Sequence, residues 1–171
     1  MSKDTVAPRE LMWSGKYIRV FRQGRWEYVS RTNDISAVGI LAEHGGRVIL
    51  VEQYRVPIGR RCLELPAGLV GDEDANATVE ETAIKELEEE TGFTADRVER
   101  LGEFHSSPGM VAESFTLVRA HGVRKMGDGG GTEHEEISVH LVARDEIPAF
   151  VEARRRAGVA VDTKLLMFLD C

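Results

Sequence analysis

The stretch TVEETAIKELEEETGF, residues 78–93, decides how this chain is interpreted. Thr78 followed three positions later by Glu81 is a capping box, which marks the first turn of an α-helix. Apolar side chains then recur at every fourth position and form one narrow stripe, as on a helix that packs by one face. Gly92 is of the residue type that most often ends helices. The stretch therefore predicts a helix over residues 78–91.

Three glutamates near the end of this helix share one face. Glu86 lies three residues before Glu89 and four before Glu90, and helical residues at these spacings are neighbours. Like charges this close repel each other, and the negative end of the helix dipole adds to the cost. A divalent cation relieves that cost, and Mg²⁺ prefers such hard oxygen ligands. The alternative is a solvated charged face, the usual role of a glutamate run.

The negative charge of the chain is concentrated around this helix. The 171 residues include 22 Lys and Arg against 29 Asp and Glu, which gives a formal net charge of -7. Nine acids and only one base, Lys85, lie between Gly71 and Gly92, and the rest of the chain is nearly balanced. Nucleic-acid partners are disfavoured, because phosphate backbones bind to basic surfaces. A small phosphate ligand reached through a metal ion remains compatible with this charge.

Length and composition set the broad class. A chain of 171 residues suits one ordinary domain. Two cysteines cannot form a disulfide framework, no signal peptide is visible, and no apolar run approaches the ~20 residues of a membrane span. We therefore expect a cytoplasmic protein with no membrane partner.

Periodicity predicts strands on both sides of the acidic helix. We expect a hairpin over residues 13–31 that turns at Gln23-Gly24, and two more helices near the end of the chain. This order predicts an α+β chain, an α/β/α sandwich with a mixed sheet and an N-terminal antiparallel hairpin. The other expected strands are 35–42, 47–53, Cys62–Leu65, 98–105, 114–121 and 137–142, and the expected helices are 145–157 and 163–169.

The segment KELEEETGF, residues 85–93, resembles the end of the Nudix box, G-x5-E-x7-R-E-U-x-E-E-x-G-U. Two positions depart from it, since Ala77 stands where the box has its first Glu and Lys85 where it has Arg. The box begins at Gly71 by spacing, or at Gly68 if the loop before the helix is longer. Similarity over most of the chain is to the ADP-ribose pyrophosphatase branch, and it implies a Nudix fold.

The resemblance also implies a set of site residues. Glu133 would be the general base on the attacking water, with Glu89 and Lys85 as further catalytic positions. The glycine-rich stretch Gly127 to Gly131 just before Glu133 is expected, from its composition, to make this loop mobile, as a closing lid requires. The position of the base among Glu133, Glu135 and Glu136 stays open. The implied metal ligands are Ala67 through its carbonyl, Glu86, Glu89, Glu90 and Glu135, and the implied substrate contacts are Arg55, Pro108, Glu113, Tyr17, Trp26, Tyr28 and Arg31.

The N-terminal aromatic residues have two interpretations. Tyr17, Trp26 and Tyr28 stack on a nucleotide base, or they form hairpin and dimer core, and both favour a homodimer. We expect residues 1–34 to be the dimerisation segment and residues 35–171 the hydrolase domain.

The expected function is hydrolysis of ADP-ribose or a related nucleoside diphosphate sugar to a nucleoside monophosphate and a sugar phosphate. Mg²⁺ is the expected cofactor, with Mn²⁺ as a substitute. The alternatives are a Nudix hydrolase of GDP-mannose or a dinucleoside polyphosphate, and a nucleotide-binding regulatory module with weakened catalysis.

Overall fold

The computed structural model describes residues 3–32, 35–72, 74–131 and 136–169. Two α-helices, α1 (Val79–Thr91) and α2 (Ile147–Arg156), lie among strands, and three short 3₁₀ helices (Val56–Ile58, Arg144–Glu146 and Thr163–Phe168) connect elements. The strands are β1 (Arg9–Ser14), β2 (Ile18–Gln23), β3 (Trp26–Arg31), β4 (Ser36–Leu41), β5 (Glu43–His44), β6 (Arg47–Arg55), β7 (Arg60–Glu64), β8 (Ala67–Val70), β9 (Phe93–Thr94), β10 (Arg97–Phe104), β11 (Phe115–His121), β12 (Arg124–Lys125), β13 (Ser138–Ala143) and β14 (Ala160–Val161).

The N-terminal sheet is antiparallel, with strand order β1-β2-β3. The turn between β2 and β3 contains Gly24 at a φ of 58°, a conformation that glycine adopts without strain. The hairpin prediction is therefore confirmed, but its turn lies one residue later than expected, at Gly24-Arg25, because Gln23 still pairs with Trp26. It missed β1, which adds a third strand on the other side of β2.

Two mixed sheets form the centre of the fold. One has the order β10-β11-β4-β8, with β11 and β4 parallel, and the other has the order β13-β6-β7-β14, with β7 and β14 parallel. β5 pairs with the second sheet, and β9 pairs with β12 in a small ribbon. The prediction of an α+β chain with a mixed sheet is confirmed.

The two helices cover opposite faces of these sheets. Ala83 and Leu87 of α1 pack in one buried cluster with Val38 and Ile40 of β4, whereas Leu41 belongs to the cluster that contains α2. Neighbouring side chains of a strand point to opposite faces, so the two clusters lie on either side of the sheets. This is the predicted α/β/α layering. In the part of the chain that the structure describes, neither helix is long and apolar enough to span a bilayer.

Besides β1 and the two-residue strands β5, β9, β12 and β14, none of which was predicted, two longer elements differ from expectation. The third predicted helix is a 3₁₀ helix, Thr163–Phe168, whose Leu165 and Phe168 are buried in the cluster that contains α2. The strand β8 was not predicted, because Pro66 and Gly68 have low strand propensity. Pairing with β4, from Gly39–Ala67 to Ser36–Val70, nevertheless holds this segment extended. β8 leads directly beneath α1, where the candidate site lies.

Candidate active site

The ends of α1 are built as the sequence predicts. The Thr78 hydroxyl accepts a hydrogen bond from the Glu81 amide at 3.2 Å, and the Glu81 carboxylate accepts one from the Thr78 amide at 2.9 Å. At the other end Gly92, with a φ of 72°, donates its amide to the Glu88 carbonyl at 2.8 Å. These caps fix where the helix starts and stops, and so fix which way its last two turns face.

Glu90 joins α1 to the start of β8. Its side chain is buried, with 5 % relative exposure, and its Oε2 accepts a hydrogen bond from the Ala67 amide at 3.0 Å. A buried carboxylate needs such partners, because burial of an unpaired charge is costly. The contact brings the helix face with the acids against the backbone of β8 at Ala67, the position expected to offer its carbonyl.

Glu86 lies against the next residue of β8. A Cβ atom built on Gly68 would fall closer than 3.0 Å to the Cγ, Cδ and Oε1 atoms of Glu86. Only glycine leaves this space open, so the strand forms a cradle in which the carboxylate rests. Gly71, the other candidate for the first glycine of the box, follows β8 with a φ of 90°, and a Cβ built on it would meet nothing closer than the Ala75 Cα at 4.0 Å. The close approach of Glu86 to Gly68 therefore favours Gly68 over Gly71 as the first glycine of the box.

Glu89 has a different environment from its two neighbours. Its side chain is exposed, and its Oε1 lies 3.5 Å from Nζ of Lys85, one turn earlier. Within the described ranges, no three His, Cys, Asp or Glu side chains lie close enough together to hold a metal ion. The structure thus brings together Glu86, Glu90 and Ala67, and it does not bring Glu89 into a preformed group with them.

A guanidinium lies on the second sheet beside these acids. Nε and Nη2 of Arg55 donate to the two oxygens of Glu64, each at 2.7 Å, in a two-pronged ion pair. The hydrogen bonds that Arg55 donates to Glu64 raise the pKa of Arg55, and Glu90 adds to this electrostatically, so the guanidinium stays charged. The Arg55 side chain is 43 % exposed and that of Glu64 only 5 %. Arg55 therefore presents a fixed positive charge near Glu90.

Glu64 was not among the predicted site residues. The sequence did contain an indication of its role. Glu64 lies between Leu63 and Leu65 in a strand expected to be buried, and a buried carboxylate requires a cationic partner.

The glycine-rich segment docks on the end of α1. Gly130 and Gly131 donate their amides to the carbonyls of Glu90 and Glu89, at 2.9 and 3.0 Å. These carbonyls belong to the last helical turn, which has no partner within the helix. Gly130 and Gly131 therefore cap the end of α1, and the mobility expected of the loop that follows stays a prediction. Glu133 and Glu135 lie outside the described residues.

Apart from Arg55, the expected substrate contacts lie on and beside the N-terminal sheet. Tyr17 is exposed between β1 and β2, with Nζ of Lys16 4.7 Å from its ring centre. Trp26 is half exposed and pairs across the hairpin with Gln23. Tyr28 packs against Phe21, with ring centres 5.9 Å apart, so it is partly committed to the sheet.

Arg31 of β3 and Glu113 contact each other through Nε and Oε1. Both side chains are 29 % exposed, although 82 residues separate them in the chain. Pro108 is exposed in a turn just before Glu113. The structure therefore brings Arg31, Glu113 and the Pro108 turn together.

Comparison with known proteins supplies the family. The model of the NUDIX domain matches residues 31–160, which is more than half of the chain. The chain belongs to the Nudix family. It is 31 % identical over 188 residues to "Putative nudix hydrolase 2" of Caenorhabditis elegans, a match covering 94 % of this chain and 81 % of the relative. It is 28 % identical to the "ADP-ribose pyrophosphatase" of Bacillus subtilis, covering 90 % of this chain and 85 % of that one.

A solved structure described as an ADP compounds hydrolase has the same fold. It superposes with a TM-score of 0.66, covers 88 % of this chain and 86 % of its own, and is 22 % identical in sequence. The chain is thus a Nudix hydrolase, an enzyme acting on a diphosphate bond. The Nudix helix is α1, and Lys85 keeps a positive charge at the position where the box has arginine, paired with Glu89.

The donor set beside the Nudix helix fits a divalent cation. Glu86 and Glu90 supply two carboxylates in one small volume, the backbone of Ala67 adjoins them, and no basic residue occupies the last turn of α1. Mg²⁺ is commonly bound by one or two carboxylates, with substrate phosphates and waters completing its shell. A preformed cage of three acidic side chains is therefore not required.

Proposed function

We propose that the chain hydrolyses ADP-ribose or a related nucleoside diphosphate sugar to a nucleoside monophosphate and a sugar phosphate, with Mg²⁺ as cofactor. The convergence of Glu86 and Glu90 on Ala67 and Gly68 of β8, with Arg55 alongside, carries this proposal. The relative named ADP-ribose pyrophosphatase supports the substrate class.

Glu86, Glu90 and the carbonyl of Ala67 would hold the cation, and Glu89 and Glu135 would join them when substrate binds. Bound there, Mg²⁺ or Mn²⁺ would neutralise the diphosphate and lower the pKa of a bound water. Glu86 and Glu90 are already held by contacts with β8, so little rearrangement of these two residues is needed on binding.

Side chains around the proposed cation site would orient the substrate and accept the proton. Arg55, clamped by Glu64, would orient the diphosphate by a charge-assisted hydrogen bond. Lys85 would keep the Glu89 carboxylate oriented on the helix face. Glu133 would accept the proton of the attacking water, a role that requires a carboxylate within hydrogen-bond reach.

Residues 1–34 would be the dimerisation segment and residues 35–171 the hydrolase domain. The protein would act in the cytoplasm. The N-terminal segment would complete the nucleotide site and join two chains in a homodimer. Exposed apolar side chains in and beside the N-terminal sheet support this, because such patches mark interaction surfaces. They include Leu11, Met12, Trp13, Tyr17 and Trp26.

The experiment is a substrate panel assayed with Mg²⁺ for release of nucleoside monophosphate. It contains ADP-ribose, GDP-mannose and a dinucleoside polyphosphate, and it compares wild type with Glu90→Gln. We expect ADP-ribose to give the highest kcat/KM, and Glu90→Gln to lower it by roughly 100-fold or more. Glu88→Gln, an exposed acid of the same helix, is the matched control and keeps activity.

Three results would contradict the proposal. Full activity of Glu90→Gln with Mg²⁺ overturns the metal site. A preference for GDP-mannose or the dinucleoside polyphosphate overturns the substrate. Tight nucleotide binding without product release in saturating Mg²⁺ or Mn²⁺ favours a regulatory module instead. Glu133→Gln, Glu135→Gln and Glu136→Gln, compared side by side, identify the base as the variant whose kcat falls while substrate affinity is retained.

A further inference from the structure

We propose that Arg31 is a positioning residue that acts through Glu113, so that the N-terminal sheet of one chain sets the shape of its own substrate loop. The substrate loop is defined here as residues 107–113. This inference rests on the proposed function, and it takes Glu113, one of the expected substrate contacts, to contact the sugar part of that substrate.

The first observation is the ion pair itself. Nε of Arg31, at the end of β3, contacts Oε1 of Glu113, and both side chains are partly buried. Partial burial strengthens such a pair relative to one in open solvent, because water screens it less. Removal of either partner leaves the other charge, which is only partly exposed to water, without its counter-charge.

The second observation is a backbone clamp two residues earlier on the same strand. The Val29 amide donates to the Met110 carbonyl at 2.9 Å, and the Ala112 amide donates to the Val29 carbonyl at 2.8 Å. Val29 and Val111 thereby form an isolated parallel bridge. The substrate loop thus continues the N-terminal sheet beyond β3, and Arg31 lies at the end of that junction.

The third observation is that the loop is closed from within. The Ser107 carbonyl accepts hydrogen bonds from the amides of Met110, at 3.0 Å, and Val111, at 2.9 Å. Pro108 lies inside this turn and restricts its backbone further. The turn and the bridge hold the backbone before Glu113, and the ion pair with Arg31 anchors the end of the loop at Glu113 itself.

Charge explains why this arrangement suits the reaction. An unpaired carboxylate near the substrate would repel its diphosphate, whereas a carboxylate paired with Arg31 has its charge compensated. Oε1 of Glu113 is engaged by the guanidinium. A carboxylate has further acceptor sites, which suit the hydroxyl groups of a sugar. Arg31 therefore places Glu113 without contacting substrate itself.

A double-mutant cycle on hydrolysis tests this. Arg31→Gln, Glu113→Gln and the double variant are compared in KM and kcat for ADP-ribose. We expect each single variant to raise KM roughly tenfold with kcat nearly unchanged, because binding to a non-reacting part of the substrate is lost. The double variant should be no worse than Glu113→Gln, and Arg31→Lys should recover part of the affinity. Arg22→Gln, which breaks the exposed pair of Arg22 with Glu10 on the same sheet, is the control.

If Arg31→Gln costs as much in the Glu113→Gln background as in wild type, Arg31 binds substrate directly and the proposal is wrong. Hydrogen exchange of residues 107–113 gives a second readout that needs no activity. Exchange should accelerate in Arg31→Gln and stay unchanged in Arg22→Gln. If no substrate of the panel is hydrolysed, the proposed function has failed, and unchanged exchange in Arg31→Gln would then overturn the positioning role separately.

Discussion

Gly68 lies directly beneath the carboxyl group of Glu86, with no room for a side chain between strand and helix. The contact explains why a residue poor for strands occupies the middle of β8. A larger residue would pack the strand better, but it would push the carboxylate out of its cradle. At position 68 the site therefore requires glycine, whereas the strand would be better packed with a larger residue.

Gly68→Ala should impair metal-dependent activity more than stability. The added Cβ meets the flexible end of Glu86, which moves aside at little cost to the fold. We expect the Mg²⁺ concentration for half-maximal activity to rise roughly tenfold, as when an interaction that orients a ligand is lost. A Mg²⁺ titration of activity beside a thermal melt measures both effects.

Gly71→Ala is the matched control and should behave in the opposite way. Its φ of 90° is strained for alanine, while the nearest atom, the Ala75 Cα, is 4.0 Å away. We expect a loss of about 1 kcal/mol in the free energy of unfolding with an unchanged Mg²⁺ requirement. An unchanged Mg²⁺ requirement in Gly68→Ala, or a raised one in Gly71→Ala, would contradict the cradle.

The next prediction concerns the glycine-rich cap of α1. A Cβ on Gly129 would fall closer than 3.0 Å to the backbone of Thr91 and Gly92, and its φ of 68° is strained for other residues. Backbone atoms cannot move aside as a side chain does. Gly129→Ala should therefore lower the free energy of unfolding by about 2 kcal/mol or more, measured by urea denaturation.

Gly127→Ala, two residues earlier, is the control for the cap. A Cβ there would meet nothing within 4 Å. We expect its free energy of unfolding to remain within about 0.5 kcal/mol of wild type. Equal effects of the two substitutions would mean that the segment is a mobile loop after all.

The sequence predicts α1 well because its signals are local. The capping box at Thr78 and the stop at Gly92 lie in the stretch they delimit, and both have the predicted geometry. β8 is different, because its extended form comes from pairing with β4, which is distant in the sequence. A strand that contains Gly68 for the sake of Glu86 necessarily looks like a loop in the sequence.

The site was predictable to a similar extent. Helical spacing correctly predicts that Glu86 and Glu90 share one face, and both contact β8. The same spacing predicts Glu89 beside them, but its pairing with exposed Lys85 depends on side-chain rotamers that spacing does not specify. The ion pair of Arg55 with Glu64 depends on the pairing of β6 with β7, which the sequence does not specify. Only the general need of a buried acid for a cationic partner could have predicted this ion pair.

A buried ion cluster on the second sheet gives a stability prediction. Glu52 is 2 % exposed, and its two oxygens contact Arg61, at 2.8 Å, and Arg154 of α2. Glu52→Gln would remove the buried counter-charge of both guanidinium groups and leave Arg61 only the exposed Glu136, at 4.0 Å. We expect a loss of about 2 kcal/mol in the free energy of unfolding, measured in urea.

The control for this cluster is Glu10→Gln. It removes the partner of Arg22 in a pair whose side chains are 45 % and 49 % exposed. Exposed pairs contribute ~0.5 kcal/mol or less, so this variant should be close to wild type. A Glu52→Gln protein as stable as Glu10→Gln would show that the cluster contributes nothing net.

The same cluster should make the fold sensitive to acid. Burial lowers the pKa of His140, which lies beside Glu52. Burial alone would raise the pKa of Glu52, but the hydrogen bonds from Arg154 and Arg61 outweigh it, so this pKa is lowered as well. The folded state then binds fewer protons at both groups than the unfolded chain, so the free energy of unfolding falls as pH decreases. The fall should begin near pH 6.5 through His140 and continue below about pH 4.5 through Glu52. The measurement is urea denaturation at a series of pH values. In His140→Gln, the free energy of unfolding should change less with pH than in wild type between about pH 6.5 and 5. An equal dependence on pH in this range would refute the assignment to His140.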